Sequence, residues 1–116
     1  MAIPEIVRRH AERRLTAYCE ARVPKAVRHQ VRLSANFRGN TATIYEERPP
    51  FSSSPGAPWV HITVAQFRYD PAAALWTLYW ADRNSRWHVY HDIEPSTDIQ
   101  ALLDEVEADP TGIFWG

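Results

Sequence analysis

Only one cysteine, Cys19, stands in the 116 residues. No internal disulfide can form, so packing and hydrogen bonds must hold the fold, as suits a reducing compartment. Glycine is scarce, four residues against nine prolines, which favours stiff connections over flexible linkers. No apolar run approaches the roughly 20 residues of a membrane helix. The N-terminal MAIPEIVRRHAERR lacks the apolar stretch of a secretory signal. No membrane partner is expected, and the expected location is cytoplasmic. There is no GxGxxG, P-loop, GxSxG, HExxH or CxxC, so the common signatures of dinucleotide, phosphate, hydrolase and zinc chemistry are missing. No cofactor is implied, and the reading leans away from an enzyme.

What is present fits one globular domain spanning residues 1–116. The hydrophobic fraction is 45% and the charged fraction 23%, both ordinary values, and the length suits a single core. The net charge of −1 hides an asymmetry. Residues 1–40 hold nine Lys/Arg against three acids, or +6, and the remainder is −7. Such a division fits either a nucleic-acid face or two halves that pack with complementary potentials.

Pro4 opens a helix in which Ile3, Val7, Ala11, Leu15, Tyr18 and Cys19 recur at helical spacing. Pro24 stops it near Arg22. Val31, Leu33, Ala35 and Phe37 then alternate with polar residues as a half-buried strand. Gly39-Asn40 is a turn signal, and Thr41 to Glu47 returns as a second strand. Residues 51–58 form an irregular loop, expected to be the most mobile segment. Further strands run from Trp59 to about Tyr69, Leu75 to Ala81 and Arg86 to His91. Ser96 or Thr97 caps a second helix with Ile99, Leu102, Leu103 and Val106 inside. The class is α+β: an N-terminal helix, a five-stranded mostly antiparallel sheet, a C-terminal helix and a short docked tail.

Five tryptophans are a high load for this length. Strand alternation sorts the rings. Val60, Ile62 and Val64 are expected on one face with Trp76, Leu78, Trp80, Trp87 and Val89, under the helices. Tyr69, Tyr79, His88 and Tyr90 are expected to form an amphipathic platform on the other. Three readings fit that platform. It is a second small core covered by the 51–58 loop and the tail, a homodimer face, or a surface that stacks single-stranded nucleic acid.

The nucleic-acid reading selects Arg9, Arg13, Lys25, Arg28 and Arg32 for phosphate, with Tyr79 and Tyr90 for stacking. Its difficulty is that the first helix and the platform lie on opposite sheet faces. The alternative from a different class is a metal-dependent hydrolase or nuclease using His88, His91 and Asp92, the right ligand types for zinc or manganese. Residues three apart on a strand face opposite ways, however, so those two histidines converge only at a bulge or strand end. A purely protein-binding, homodimeric module is the third possibility.

EERPP at 46–50, FRYDP at 67–71, LWTLYWADRNSRWHVYHDIEP at 75–95 and DPTGIFWG at 109–116 resemble a family of small bacterial proteins defined only as a domain of unknown function, DUF3024. The resemblance spans nearly the whole chain. It implies a self-contained domain and carries over no activity, cofactor or catalytic residue.

Overall fold

The computed structural model describes residues 3–50 and 55–115. Of the expected loop at 51–58, residues 51–54 lie outside that description. Pro4 precedes the first helix, α1 (Glu5–Arg22), and its extended backbone feeds the first turn. Ala11, Leu15 and Cys19, four apart, form the buried stripe of α1. Val23 is extended, as the residue before a proline must be, and ends the helix. A single 3-10 turn at Lys25–Val27 leads into the sheet.

The strands are β1 (Arg32–Arg38), β2 (Thr41–Arg48), β3 (Val60–Asp70), β4 (Leu75–Ala81) and β5 (Trp87–Val89). They pair in sequence order, and every pairing is antiparallel. Helix α2 (Ile99–Ala108) follows. Its N-cap is Asp98, whose carboxylate accepts from the Gln100 amide at 3.0 Å. The expected caps do other work. Ser96 pairs its backbone with Trp76, and its hydroxyl accepts from the Asp98 amide.

The register defines the two faces. Phe37, Ala42, Phe67 and Leu78 lie in one row, and Ala35, Ile44 and Ala65 in the next. These residues join Leu15, Ile99, Leu102, Leu103 and Val106 in one core. Both helices therefore cover the same sheet face, and among the described residues the other face carries no helix.

Two departures from simple alternation reset the faces. Ile44 pairs with Ala65 but Tyr45 pairs with Thr63, so Val64 is an extra, bulged residue. The bulge keeps Phe67 and Tyr69 on the covered side while Thr63 and His61 point to the open side. Val60 and Ile62 keep the covered parity, opposite Arg48 and Glu46, but run past the helices and stay exposed at 40% and 44%. The expectation that they lie in the core is corrected.

The second departure is the β4–β5 connection. Five residues, Asp82 to Arg86, separate the paired Ala81 and Trp87. Ser85 takes φ 61°, and the Asp82 amide donates to the Arg86 carbonyl at 2.9 Å. This is a hairpin turn closed by a left-handed residue. It pairs Trp80 with His88 rather than with Trp87. Trp87 and Val89 consequently face outward, while His88 and Tyr90 face the helices. The expected assignment of β5 is reversed.

The tail is docked. The Asp109 carboxylate accepts from the amides of Phe114 (3.0 Å) and Trp115 (2.8 Å). The Phe114 ring packs 5.1 Å from Tyr90. Arg22 lies 3.7 Å over the Trp115 ring and donates to Glu107 at 2.7 Å. The Tyr18 hydroxyl donates to the same carboxylate at 2.8 Å. Burial, reinforced by the neighbouring Glu107 charge, pushes the Tyr18 phenol well above its usual range.

Candidate functional site: the open sheet face

The uncovered face is built by the residues that alternate with the core. Arg32, Ser34, Asn36 and Arg38 come from β1, and Thr41, Thr43, Tyr45 and Glu47 from β2. His61, Thr63, Gln66 and Arg68 come from β3, with Thr77 and Tyr79 from β4. Few are simple hydrophobes, and several are rings or cations.

Two arginines sit over aromatic rings. The Arg32 guanidinium is 3.6 Å from the centroid of Trp59. The Arg68 guanidinium is 3.9 Å from that of Tyr79. A cation over a ring contributes about 0.5–1 kcal/mol when exposed. These contacts therefore orient the arginines more than they stabilise the fold. Arg68 is fixed further, because its Nε donates to Gln66 at 2.7 Å and Gln66 donates to the buried Thr43 hydroxyl at 3.0 Å. Glu47 stands between Arg32 at 3.8 Å and His61 at 3.6 Å. The His61 ring meets Tyr45 edge-on at 5.9 Å. Three arginines, Arg32, Arg38 and Arg68, against two carboxylates, Glu47 and Asp70, leave the face positive.

The sequence-selected cations divide. Arg32 and Tyr79 lie on the open face. Arg9 pairs with Glu5 at 3.0 Å on α1, in the opposite layer, where Arg13 is also exposed. Arg28 donates to the carbonyls of Val23 (3.2 Å) and Glu20 (3.4 Å), closing the end of α1, and Lys25 sits in the adjoining turn. Tyr90 is 4% exposed on the covered face, and its hydroxyl donates to Glu105 at 2.8 Å. Burial, then that hydrogen bond, push its phenol up to about 12. No base can stack on Tyr90, and that assignment is corrected. Tyr69 is likewise buried, 4.9 Å from Trp76. The platform expected from Tyr69, Tyr79, His88 and Tyr90 therefore keeps only Tyr79. Arg68 was missed, although its place between Phe67 and Tyr69 marks it as pointing away from them.

The metal alternative finds no site here. Among the described residues no three His, Cys, Asp or Glu side chains converge. His88 stacks 4.7 Å from Trp80, and its Nε2 is 2.8 Å from Asp82. That hydrogen bond, with two from backbone amides, holds the Asp82 carboxyl down at about 2. His91 and Asp92 lie beyond the end of β5. Cys19 is buried, and burial pushes its thiol up to about 11, which disfavours the reactive thiolate. Among the described residues no helix is long and apolar enough to cross a membrane.

Fold and face together define an α+β domain, two layers deep, that leaves one polar, arginine- and aromatic-bearing sheet face open. The chain belongs to the DUF3024 family, a domain of unknown function, whose model matches residues 3–116. Comparison with curated proteins and with solved structures finds no match.

Proposed function

We propose that this protein is a binding module whose open sheet face takes single-stranded nucleic acid. The two guanidinium–ring stacks on that face carry the proposal. Bases stack on guanidinium planes as they do on aromatic rings, and the same cations meet phosphate. Trp59, just before β3, and Arg68 within it lie nine residues apart, on the order of 30 Å at strand rise. That spacing accommodates an extended strand. Arg32 sits beside Arg28 at the mouth of one cleft, so the positive surface continues around the sheet edge. Arg9 and Arg13 belong to the other layer and are left out.

The test is quenching of tryptophan fluorescence by mixed-sequence single-stranded DNA and RNA. Two or three phosphate contacts give a salt slope of about −1.4 to −2.1. Raising salt from 50 to 200 mM then weakens binding roughly 7- to 18-fold. Arg32→Met and Arg68→Met should each weaken it, while Arg9→Ser should not. Absence of quenching at 50 mM salt, or equal losses in all three variants, refutes the proposal.

A further inference from the structure

Strand β1 lies at the edge of the sheet. Its pairing with β2 is unbroken over seven residues and contains no proline, glycine or bulge. Sheet edges are usually blunted by such features or by an inward-facing charge. Here the inward side chains are Leu33, Ala35 and Phe37. The ladder fixes which backbone groups are spare. The two-residue turn makes Arg38–Thr41 a hydrogen-bonded pair, and every second pair follows it. The amides and carbonyls of Leu33, Ala35 and Phe37 therefore point away from β2. Among the described residues no other backbone group bonds to them.

Helix α1 runs alongside this edge. Two clefts of about 300 Å³ each lie between α1 and β1, and both are lined by Thr16 and Ala35. Together they make one groove along the strand. Leu15 and Cys19 line it from the helix, and Leu33, Ala35 and Phe37 from the strand. An edge strand beside a helix is the geometry that accepts an added strand.

We infer that this groove binds an extended peptide segment as a sixth strand, with apolar side chains toward α1 and acidic ones on the open face. Charge selects the occupant. On the open face the added strand lies beside Arg32 and Arg38, at the two ends of β1. On the helix side Glu12 is held by Arg8 at 3.0 Å, and Glu20 stands at the rim. Arg8 and Arg28 line the same clefts and balance those carboxylates, so Leu15, Leu33 and Phe37 decide that side and favour apolar groups there. A second copy is a poor occupant. Antiparallel β1–β1 pairing over the full strand sets Arg32 against Arg38 at both ends, and opposed like charges destabilise.

The test uses the full ¹⁵N-labelled chain and two probes, a nonapeptide alternating valine with glutamate and its valine–lysine counterpart. Saturation with the glutamate peptide should slow amide exchange at Leu33, Ala35 and Phe37 by about tenfold or more. Ser34 and Asn36, already bonded to β2, should be unchanged. Arg38→Glu should weaken the glutamate peptide and admit the lysine one. Unchanged exchange at saturation overturns the inference, as does equal binding of both peptides. Protection that rises with protein concentration alone also overturns it, because a second copy then fills the edge. Nucleic acid acts instead on the guanidinium–ring pairs Arg32–Trp59 and Arg68–Tyr79 and leaves the Leu33, Ala35 and Phe37 amides exchanging, so either proposal can fail without the other.

Discussion

The docked tail gives the sharpest stability prediction. Phe114 is 9% exposed and packs on Tyr90. Replacing a core phenylalanine by alanine costs about 3–5 kcal/mol. Phe114 lies near the chain end, where its surroundings can partly collapse, so Phe114→Ala should cost about 3 kcal/mol. Unfolding entropy near 2.1 cal/mol/K per residue amounts to roughly 0.24 kcal/mol/K for this length. The midpoint should therefore fall by about 12 °C in a thermal melt followed by circular dichroism. Asp109→Ala removes both amide acceptors and should lower the midpoint in the same direction. Ile6→Ser, at a residue 80% exposed, should leave it within about 2 °C. A fall of under about 3 °C for Phe114→Ala would refute the reasoning, since the tail would then be lying on the core without contributing to it.

Three further outcomes follow from the same geometry. Tyr18 and Tyr90 have raised phenol pKa values, so their contribution is full below the ordinary value of 10 and is lost as pH rises through the folded value, about 12 for Tyr90. The phenolate absorbance lost in Tyr90→Phe should be a single titration at about 12, and a difference curve centred at 10 would contradict this. Asp82 is shifted the other way. Its contribution is present above the ordinary value of 3.8 and is lost as pH falls through about 2. In Asp82→Asn, melts should therefore lose part of the acid sensitivity between those limits. Ala74 sits at φ 55° without being glycine, a conformation costing roughly 1–2 kcal/mol. Ala74→Gly should stabilise by about 0.5–1 kcal/mol by urea titration, once glycine's extra entropy is subtracted, and a loss of stability would show the strain is not there.

The helices and the first hairpin were legible because their signals are local. Ala11, Leu15 and Cys19 repeat at helical spacing, and Gly39 takes the positive φ its turn needs. Face assignment was not legible past β2, because alternation counts residues and both errors came from a single uncounted one. Nothing in the composition of ITVAQF marks Val64 as bulged, since valine suits an ordinary strand equally well. DRNS reads as a four-residue turn, and only the Asp82–Arg86 hydrogen bond adds the fifth residue. Half of the candidate site followed from those counts. Arg32 and Tyr79 stand before or between the slips and were placed correctly. Tyr69 stands after the first slip within its own strand, and His88 and Tyr90 after the second, and these were not.

The bulge at Val64 also sets which changes of length β3 tolerates. Deleting Val64 leaves Thr63 opposite Tyr45, so Thr63, His61 and Trp59 keep their face and only a buried valine is lost. Deleting any residue from Val60 to Thr63 while Val64 stays bulged instead carries everything upstream of it, Trp59 included, to the other side. Within one strand the position that can be dropped without scrambling the open face is a buried one, and the intolerant positions are those at the surface.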